Sequence, residues 1–195
     1  MEEEIILLRE YWLQRAVAFL IDHMVRCGLA RVVVRVSCGW PSRGGLGQRQ
    51  AVIGQCFAPQ VCADGVSQIF ISPRIADSIE VLGTLLHELV HASVGVQQKH
   101  LAPFSQAARK VGLVGPPTAT VVGPSLRPLL QQYVEQVGTY PHAAITPQIK
   151  GKVGSRLRLY ECHCQPPVKV RVAHDEFQAR CLVCGGVFVP PQEGK

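Results

Sequence analysis

The clearest pattern of hydrophobic and polar positions lies between residues 78 and 95. Apolar side chains recur there at close to the 3.6-residue period, which predicts an amphipathic helix. These positions are Leu82, Leu85, Leu86, Leu89 and Val90. Asp77 or Ser78 is a suitable N-cap, and Gly95 is a suitable end. We therefore expect a helix that starts at residue 77 or 78 and ends before Gly95.

The same periodicity predicts the other elements of the first three quarters of the chain. Helices are expected at residues 3–27, 103–111 and 125–137, each closed by a following glycine. Valine-rich, partly alternating stretches predict strands at residues 31–37, 51–57 and 66–72, while residues 115–123 look irregular. Together they indicate an α+β fold, with helices packed on a small, mainly antiparallel sheet.

The pattern changes near residue 148. The chain becomes polar and basic between residues 146 and 158 and contains Gly151 and Gly154, which is typical of a linker. Beyond it, residues 157–191 look strand-like and contain four of the eight cysteines. We therefore predict one domain over residues 1–147 and a second, smaller one over residues 148–195.

Composition narrows the class of protein. No apolar run approaches the roughly 20 residues that a membrane span needs, and the acidic start Met1-Glu2-Glu3-Glu4 does not suit a signal peptide. We expect a cytoplasmic protein without a membrane segment, in which cysteines serve as thiols or metal ligands. The net charge of +6 permits attraction to nucleic acid.

Three polar residues interrupt the apolar helix, as His87-Glu88-Leu89-Val90-His91. On a helix, His87 and His91 stand one turn apart on one face, where both imidazoles can bind one metal ion. Glu88 lies close enough to take a proton from a water on that ion. Burying these groups without a metal would be costly, so the motif predicts a catalytic zinc with Glu88 as general base.

A catalytic zinc usually has a third protein ligand. The pattern HExxHxxGxxH is absent, because Val94 and Gln97 occupy its glycine and its last histidine. A glutamate on a later helix is one alternative, and Glu135 is the candidate. We favour His100, nine residues after His91, because the chain can turn back after the helix and present this side chain to the site.

The C-terminal cysteines form two close pairs separated by sixteen residues. The pairs are Cys162 with Cys164, and Cys181 with Cys184. Thiolates at this spacing predict a tetrahedral structural zinc in a zinc-ribbon-like segment. Because a Cys-x-Cys pair is unusual, His163 or His174 is an alternative to Cys164 as the fourth ligand.

Together these residues resemble the SprT-like zinc metallopeptidases, which include the Spartan proteases, and most closely their compact bacterial and phage forms. The resemblance rests on the HExxH motif, on His100 followed by Phe104, and on residues 107–113. Weaker likeness extends over residues 36–40, 69–72, 118–120 and 140–142. Two features depart from the pattern: the gap before His100 is short, and Leu101 stands where a glycine often follows.

The resemblance implies a zincin-like metallopeptidase domain followed by the zinc ribbon. It implies that His87, His91 and His100 bind the catalytic zinc, that Glu88 is the general base, and that the enzyme is an endopeptidase. Its substrates would be proteins bound or crosslinked to DNA. The alternative is a non-catalytic, DNA-associated zinc-binding or regulatory module.

Further candidates complete the predicted site. Tyr140 and His142 are candidates for stabilising the oxyanion, with loop packing as the alternative role. Residues 68–72 are the candidate strand edge for pairing with an extended substrate. Basic residues near the ribbon are candidates for contacting DNA phosphates: Lys150, Lys152, Arg156, Arg158, Lys169 and Arg171.

Overall fold

The computed structural model of the chain describes residues 8–42, 52–146, 157–174 and 176–191. Contacts divide the chain into two compact units, Met1–Ile149 and Lys150–Lys195. Both helices and small sheets are present, as the α+β prediction requires. In the described ranges no helix combines the length and the apolar character that crossing a membrane requires.

Among the described residues of the first unit are four α-helices: α1 (Arg9–Arg26), α2 (Ser78–Val94), α3 (Ala102–Lys110) and α4 (Arg127–Val137). All four overlap the predicted helices, but α1 starts at Arg9 after an extended Leu8, and residues 3–7 of the predicted first helix lie outside the described residues. The N-terminus of α2 is capped by Asp77, whose side chain accepts a hydrogen bond from the Glu80 backbone N–H at 2.9 Å. Gly95 follows α2 with a φ of 93°, a conformation that glycine adopts without strain.

Three strands form the sheet of the first unit: β1 (Val34–Cys38), β2 (Gly54–Phe57) and β3 (Ser67–Ile71). Their order is β1-β3-β2. β3 pairs antiparallel with β2 but parallel with β1, so the expectation of a mainly antiparallel sheet was wrong for this sheet. The chain reverses between β2 and β3, and β1 then pairs with the free side of β3 in the same direction.

This order also corrects the predicted substrate edge. Residues 68–72 lie on or beside β3, whose two sides are already occupied by β1 and β2. The outer strand on the α2 side is β2, in which Gly54 approaches Thr84 and Glu88 of α2. A strand in the middle of a sheet has no free backbone groups for another peptide.

The core of the first unit is formed where α1 and α2 pack against the sheet and α4 packs against these two helices. Trp12 is fully buried and donates from its indole nitrogen to the Gly138 carbonyl at 2.9 Å. The hydroxyl of Tyr133 donates to the Trp12 carbonyl at 3.1 Å. Leucines of the predicted apolar stripe, among them Leu82 and Leu89, are also fully buried. α2 therefore runs through the centre of this unit.

A short hairpin packs on α2. Its strands are β4 (Leu113–Val114) and β5 (Val121–Val122), paired antiparallel. Residues 115–123 were expected to be irregular, and they are so except for the two residues of β5. Val122 lies against Gly83 of α2, so closely that a β-carbon at Gly83 would come within 2.6 Å of a Val122 methyl carbon. The glycine in mid-helix therefore allows the hairpin to approach the helix backbone.

In its described part, residues 157–174 and 176–191, the second unit has two antiparallel strands, β6 (Arg158–Glu161) and β7 (Lys169–Val172). Isolated bridges join Glu161 to Val189 and Arg180 to Val187. The buried cluster of these residues consists of Tyr160, Cys162, Cys181 and Phe188. So small a core gives little hydrophobic stabilisation, and units of this kind usually need a metal or a disulfide.

Candidate metal centres

The helix α2 places His87 and His91 one turn apart, and the segment after it returns His100 to the same side. A 3₁₀ turn at Val96–Gln98 follows α2. The residues that flank this turn, Gly95 and Lys99, both have positive φ, 93° and 47°. These two reversals turn the chain back over the end of α2.

The three histidines converge through their Nε2 atoms. Nε2 of His100 lies 3.2 Å from Nε2 of His87 and 3.1 Å from Nε2 of His91. Two nitrogens bound to one tetrahedral zinc stand about 3.3–3.4 Å apart, since each lies 2.0–2.1 Å from the metal. The three side chains therefore form a group that could hold one metal ion. Glu135 is exposed on α4 and is not in this group.

Burial keeps the histidine rings neutral. It lowers the pKa of His87 to about 3 and that of His91 to about 4, with the neighbouring imidazoles adding to the effect. Burial also lowers the pKa of His100. Phe104, which is fully buried, stacks on His91 with ring centroids 4.2 Å apart. Neutral rings fixed in this way offer their lone pairs to a metal without first losing a proton.

Glu88 lies beside the histidines with only 6 % of its surface exposed. Burial raises the pKa of its carboxyl to about 8, although a hydrogen bond from the Cys56 backbone N–H acts in the opposite direction. A bound cation would lower that pKa, because an opposite charge favours the carboxylate. The close packing depends on Gly54, where a β-carbon would lie 2.8 Å from Glu88 Oε1.

A cavity of about 500 Å³ opens onto this group. Its walls are residues 52–56 of the β2 region and residues 118–120 of the hairpin, with the three histidines and Glu88 at its base. A second cavity, of about 290 Å³, shares Ile53, Thr84 and Thr120 with the first. The two cavities therefore make one cleft along α2.

Tyr140 and His142 lie elsewhere. The Tyr140 ring packs on Trp12 at 5.0 Å, and its backbone N–H donates to Ser78 Oγ at 2.9 Å, at the start of α2. His142 Nε2 lies 2.9 Å from the Pro73 carbonyl. Neither residue lines the cleft, so the structure gives both a packing role and does not favour the oxyanion role.

Sequence reasoning missed three residues that touch the predicted site. Thr120 Oγ1 lies 2.7 Å from His87 Nδ1, Cys56 donates its backbone N–H to Glu88, and Gly54 gives Glu88 room. A glycine inside a predicted strand often marks a close approach, so Gly54 carried a signal. Cys56 carried none and Thr120 only the weak family likeness of residues 118–120, because their contacts come from chain pairing far from α2 in sequence.

The four C-terminal cysteines form the second group that could hold a metal ion, with all four Sγ atoms within 4.8 Å of one another. Sγ of Cys164 lies 3.8 Å from Sγ of Cys181, and two sulfurs on one tetrahedral zinc stand about 3.7–3.8 Å apart. Backbone N–H groups of residues 183 and 184 lower the pKa of Cys181, and that of Gly186 lowers the pKa of Cys184. These donors favour the thiolates that a metal requires.

The histidine alternatives to Cys164 are not in the cysteine group. His163 lies next to Gly186, where a β-carbon would be 3.0 Å from its Nδ1. His174 Nδ1 accepts a hydrogen bond from the Glu176 backbone N–H at 3.1 Å. Of the described residues, the four that come together are all cysteines.

The basic residues proposed for DNA are only partly described. Lys150, Lys152 and Arg156 lie outside the described residues. Arg158 and Arg171 are exposed on β6 and β7, while Lys169 lies 3.6 Å from Glu161 across the two strands. A DNA contact at these positions stays a prediction.

Comparison with known proteins adds no relative. No family model matches the chain, and neither the curated proteins nor the solved structures gave a match. The two metal-binding groups and the cleft are therefore the basis for a functional proposal.

Proposed function

We propose that the protein is a zinc-dependent endopeptidase of SprT-like type. The observation that carries the proposal is the meeting of three histidine Nε2 atoms beside a buried glutamate at the base of a cleft. Three imidazoles leave a fourth position of a tetrahedral metal for water, which is the arrangement of catalytic zinc sites. Four thiolates leave none, so the cysteine group suits a structural zinc.

The residues present fit a catalytic zinc in their donor chemistry. Neutral imidazoles are good zinc ligands, although they also accept other divalent metals. When bound there, zinc supplies Lewis-acid polarisation of a carbonyl and a bound water of lowered pKa. Glu88 is then the group that accepts the proton of the attacking water and returns it to the leaving amine.

We place the substrate along β2, in place of the predicted edge at residues 68–72. In the described sheet, the side of β2 away from β3 has no strand partner, so an extended peptide can pair there and enter the cleft. Val52 and Ile53 beside it are 40 % and 37 % exposed. These apolar side chains favour unfolded or extended protein segments as substrates.

The proposed link to DNA-associated substrates rests on the resemblance and on charge. The chain has a net charge of +6, and exposed arginines lie on both strands of the second unit. Such a surface attracts phosphates without reading sequence. The alternative, a non-catalytic DNA-associated zinc module, is favoured by the same surface, because a complete four-cysteine group beside basic side chains needs no peptidase activity.

The experiment that separates the peptidase from the non-catalytic module compares cleavage of an unfolded protein by the zinc-loaded wild-type chain with cleavage by the Glu88→Gln variant. We expect Glu88→Gln to keep both zinc ions, by elemental analysis, and to lose about 10²- to 10⁴-fold in rate, which is the usual contribution of a general base. Unchanged cleavage in Glu88→Gln would assign the activity to a contaminant. A wild-type chain with two zinc ions that binds DNA and cleaves nothing would establish the non-catalytic module.

A further inference from the structure

Two parts of the first unit that are distant in sequence meet at His87. The hairpin of β4 and β5 carries Thr120 immediately before β5, and Thr120 Oγ1 lies 2.7 Å from His87 Nδ1. The same hairpin packs Val122 against Gly83, one turn before His87 on α2. The hairpin is therefore fixed to α2 beside the histidine that it contacts.

The direction of this hydrogen bond follows from the geometry of the group. His87 turns its Nε2 toward Nε2 of His100, so Nε2 is the atom available to a metal. A neutral imidazole that gives the lone pair of Nε2 carries its proton on Nδ1. His87 Nδ1–H therefore donates to the Thr120 hydroxyl oxygen, and this bond holds both the tautomer and the ring orientation that metal binding needs.

We propose that Thr120 is a positioning residue that sets the metal affinity of the histidine group through His87. The inference rests on the proposed metal site but not on peptidase activity. His91 has no such hydrogen bond, because its Nδ1 is buried and has no hydrogen-bond partner among the described residues. Phe104 packs against both rings, with its centroid 4.7 Å from that of His87 and 4.2 Å from that of His91, so the hydrogen bond to Thr120 is the constraint that His87 has in addition to packing.

Gly83 offers a second way to move the hairpin. A β-carbon at Gly83 would meet the Val122 methyl at 2.6 Å, so Gly83→Ala must shift the Val122 side chain, and the distance between Thr120 and His87 grows where the hairpin backbone follows. Alanine is about 1 kcal/mol more favourable than glycine inside a helix. A loss of metal affinity in Gly83→Ala would therefore come from the hairpin and not from a weaker helix.

The test measures zinc affinity in the full chain by competition with a chelator, after one zinc equivalent has filled the cysteine group. The His100→Ala variant shows whether the measured zinc affinity belongs to the histidine group or to the cysteine group. We expect Thr120→Val to weaken zinc binding at the histidine group about 10- to 100-fold, as loss of such supporting hydrogen bonds does. Thr120→Ser keeps the acceptor and is expected to stay within about threefold of wild type.

The matched control is Thr139→Val, which makes the same change on an exposed residue of the first unit that does not line the cleft and should leave zinc affinity unchanged. Equal affinity of Thr120→Val and wild type, or an equal loss in Thr139→Val, would overturn the proposal. If Thr120→Val does not fold, Thr120→Ala, which removes the same hydroxyl group, decides, and wild-type affinity there overturns it. Loss of affinity in a chain that cleaves nothing would support Thr120 and count against the proposed peptidase.

Discussion

The two groups that could hold a metal ion, the three histidines and the four cysteines, depend on their surroundings in opposite ways. The histidine group is built on α2, which is held in the core by fully buried leucines and by Trp12 of the neighbouring helix. The cysteine group is itself half of the small core of its unit, since Cys162 and Cys181 are two of its four buried residues. A unit that folds without metal can leave one of the four coordination positions of a tetrahedral metal free for water or substrate. A unit that depends on a metal for folding uses protein ligands at all four positions.

Removal of metal from the cysteine group gives the largest expected effect. Structural zinc contributes on the order of 10 kcal/mol to the folding of small zinc units, and the core of residues 157–191 cannot replace it. We expect Cys181→Ser to lose one zinc ion and to unfold the second unit while the first remains folded. Limited proteolysis followed by mass spectrometry measures this directly. If residues 157–191 stayed protected from the protease in the variant, the second unit would not depend on a metal for its folding.

The first unit should instead remain folded without metal, with a stability that depends on Glu88. Its pKa is raised from 4.5 to about 8, so the folded state favours the protonated carboxyl. The contribution of Glu88 is therefore fully present below about pH 4.5 and is lost as the pH rises toward 8. The histidines, whose pKa values are lowered, act in the opposite direction and lose stability as the pH falls below 6.5.

Comparison of wild type with Glu88→Gln isolates the glutamate, because the histidine contributions cancel. We expect Glu88→Gln to gain in relative stability by a few kcal/mol between about pH 5 and pH 8 in the metal-free protein. Denaturant unfolding at each pH measures the difference. Zinc should reduce it, since a cation stabilises the carboxylate. A pH-independent difference would mean that Glu88 is ionised throughout.

A smaller effect is expected from Gly54→Ala at the outer strand. The new β-carbon would lie 2.6 Å from Thr84 Cγ2 and 2.8 Å from Glu88 Oε1. Overpacking of this kind usually costs about 1–3 kcal/mol, and displacement of Glu88, the proposed general base, should reduce the proposed cleavage up to about 100-fold. Thr84→Ser removes the methyl group, so the double variant should recover stability but not activity. Recovery of both would show that Glu88 had not moved.

The sequence predicted the members of the histidine and cysteine groups far better than the residues that contact them. His87 with His91, and Cys181 with Cys184, lie within one helical turn or one tight turn, so their spacing alone brings the side chains together. His100 could be predicted as the third histidine of the group because a glycine marks the end of α2, so the chain can turn back there. Such contacts are local, and local geometry follows from the sequence.

Contacts between distant segments were not predictable in this way. The assignment of the substrate edge to residues 68–72 failed because strand order depends on which strands pair, and here β3 takes the middle position. Thr120 reaches His87 across 33 positions of sequence, and the weak family likeness of residues 118–120 did not indicate this contact. Tyr140 was a chemically suitable side chain, but its loop packs at the N-terminal end of α2, away from the histidines.

The smallest expected effect concerns DNA binding. It would assign DNA binding to the second unit and the proposed cleavage to the first. Arg171 is exposed on β7, whereas Lys169 lies beside Glu161, which already offsets its charge. We expect Arg171→Gln to weaken binding to any duplex sequence and to reduce the slope of log affinity against log salt by about 1. Lys169→Gln serves as the matched variant and should change the slope less. Fluorescence anisotropy at several salt concentrations measures both slopes, and equal slopes for wild type and Arg171→Gln would mean that DNA does not contact this strand.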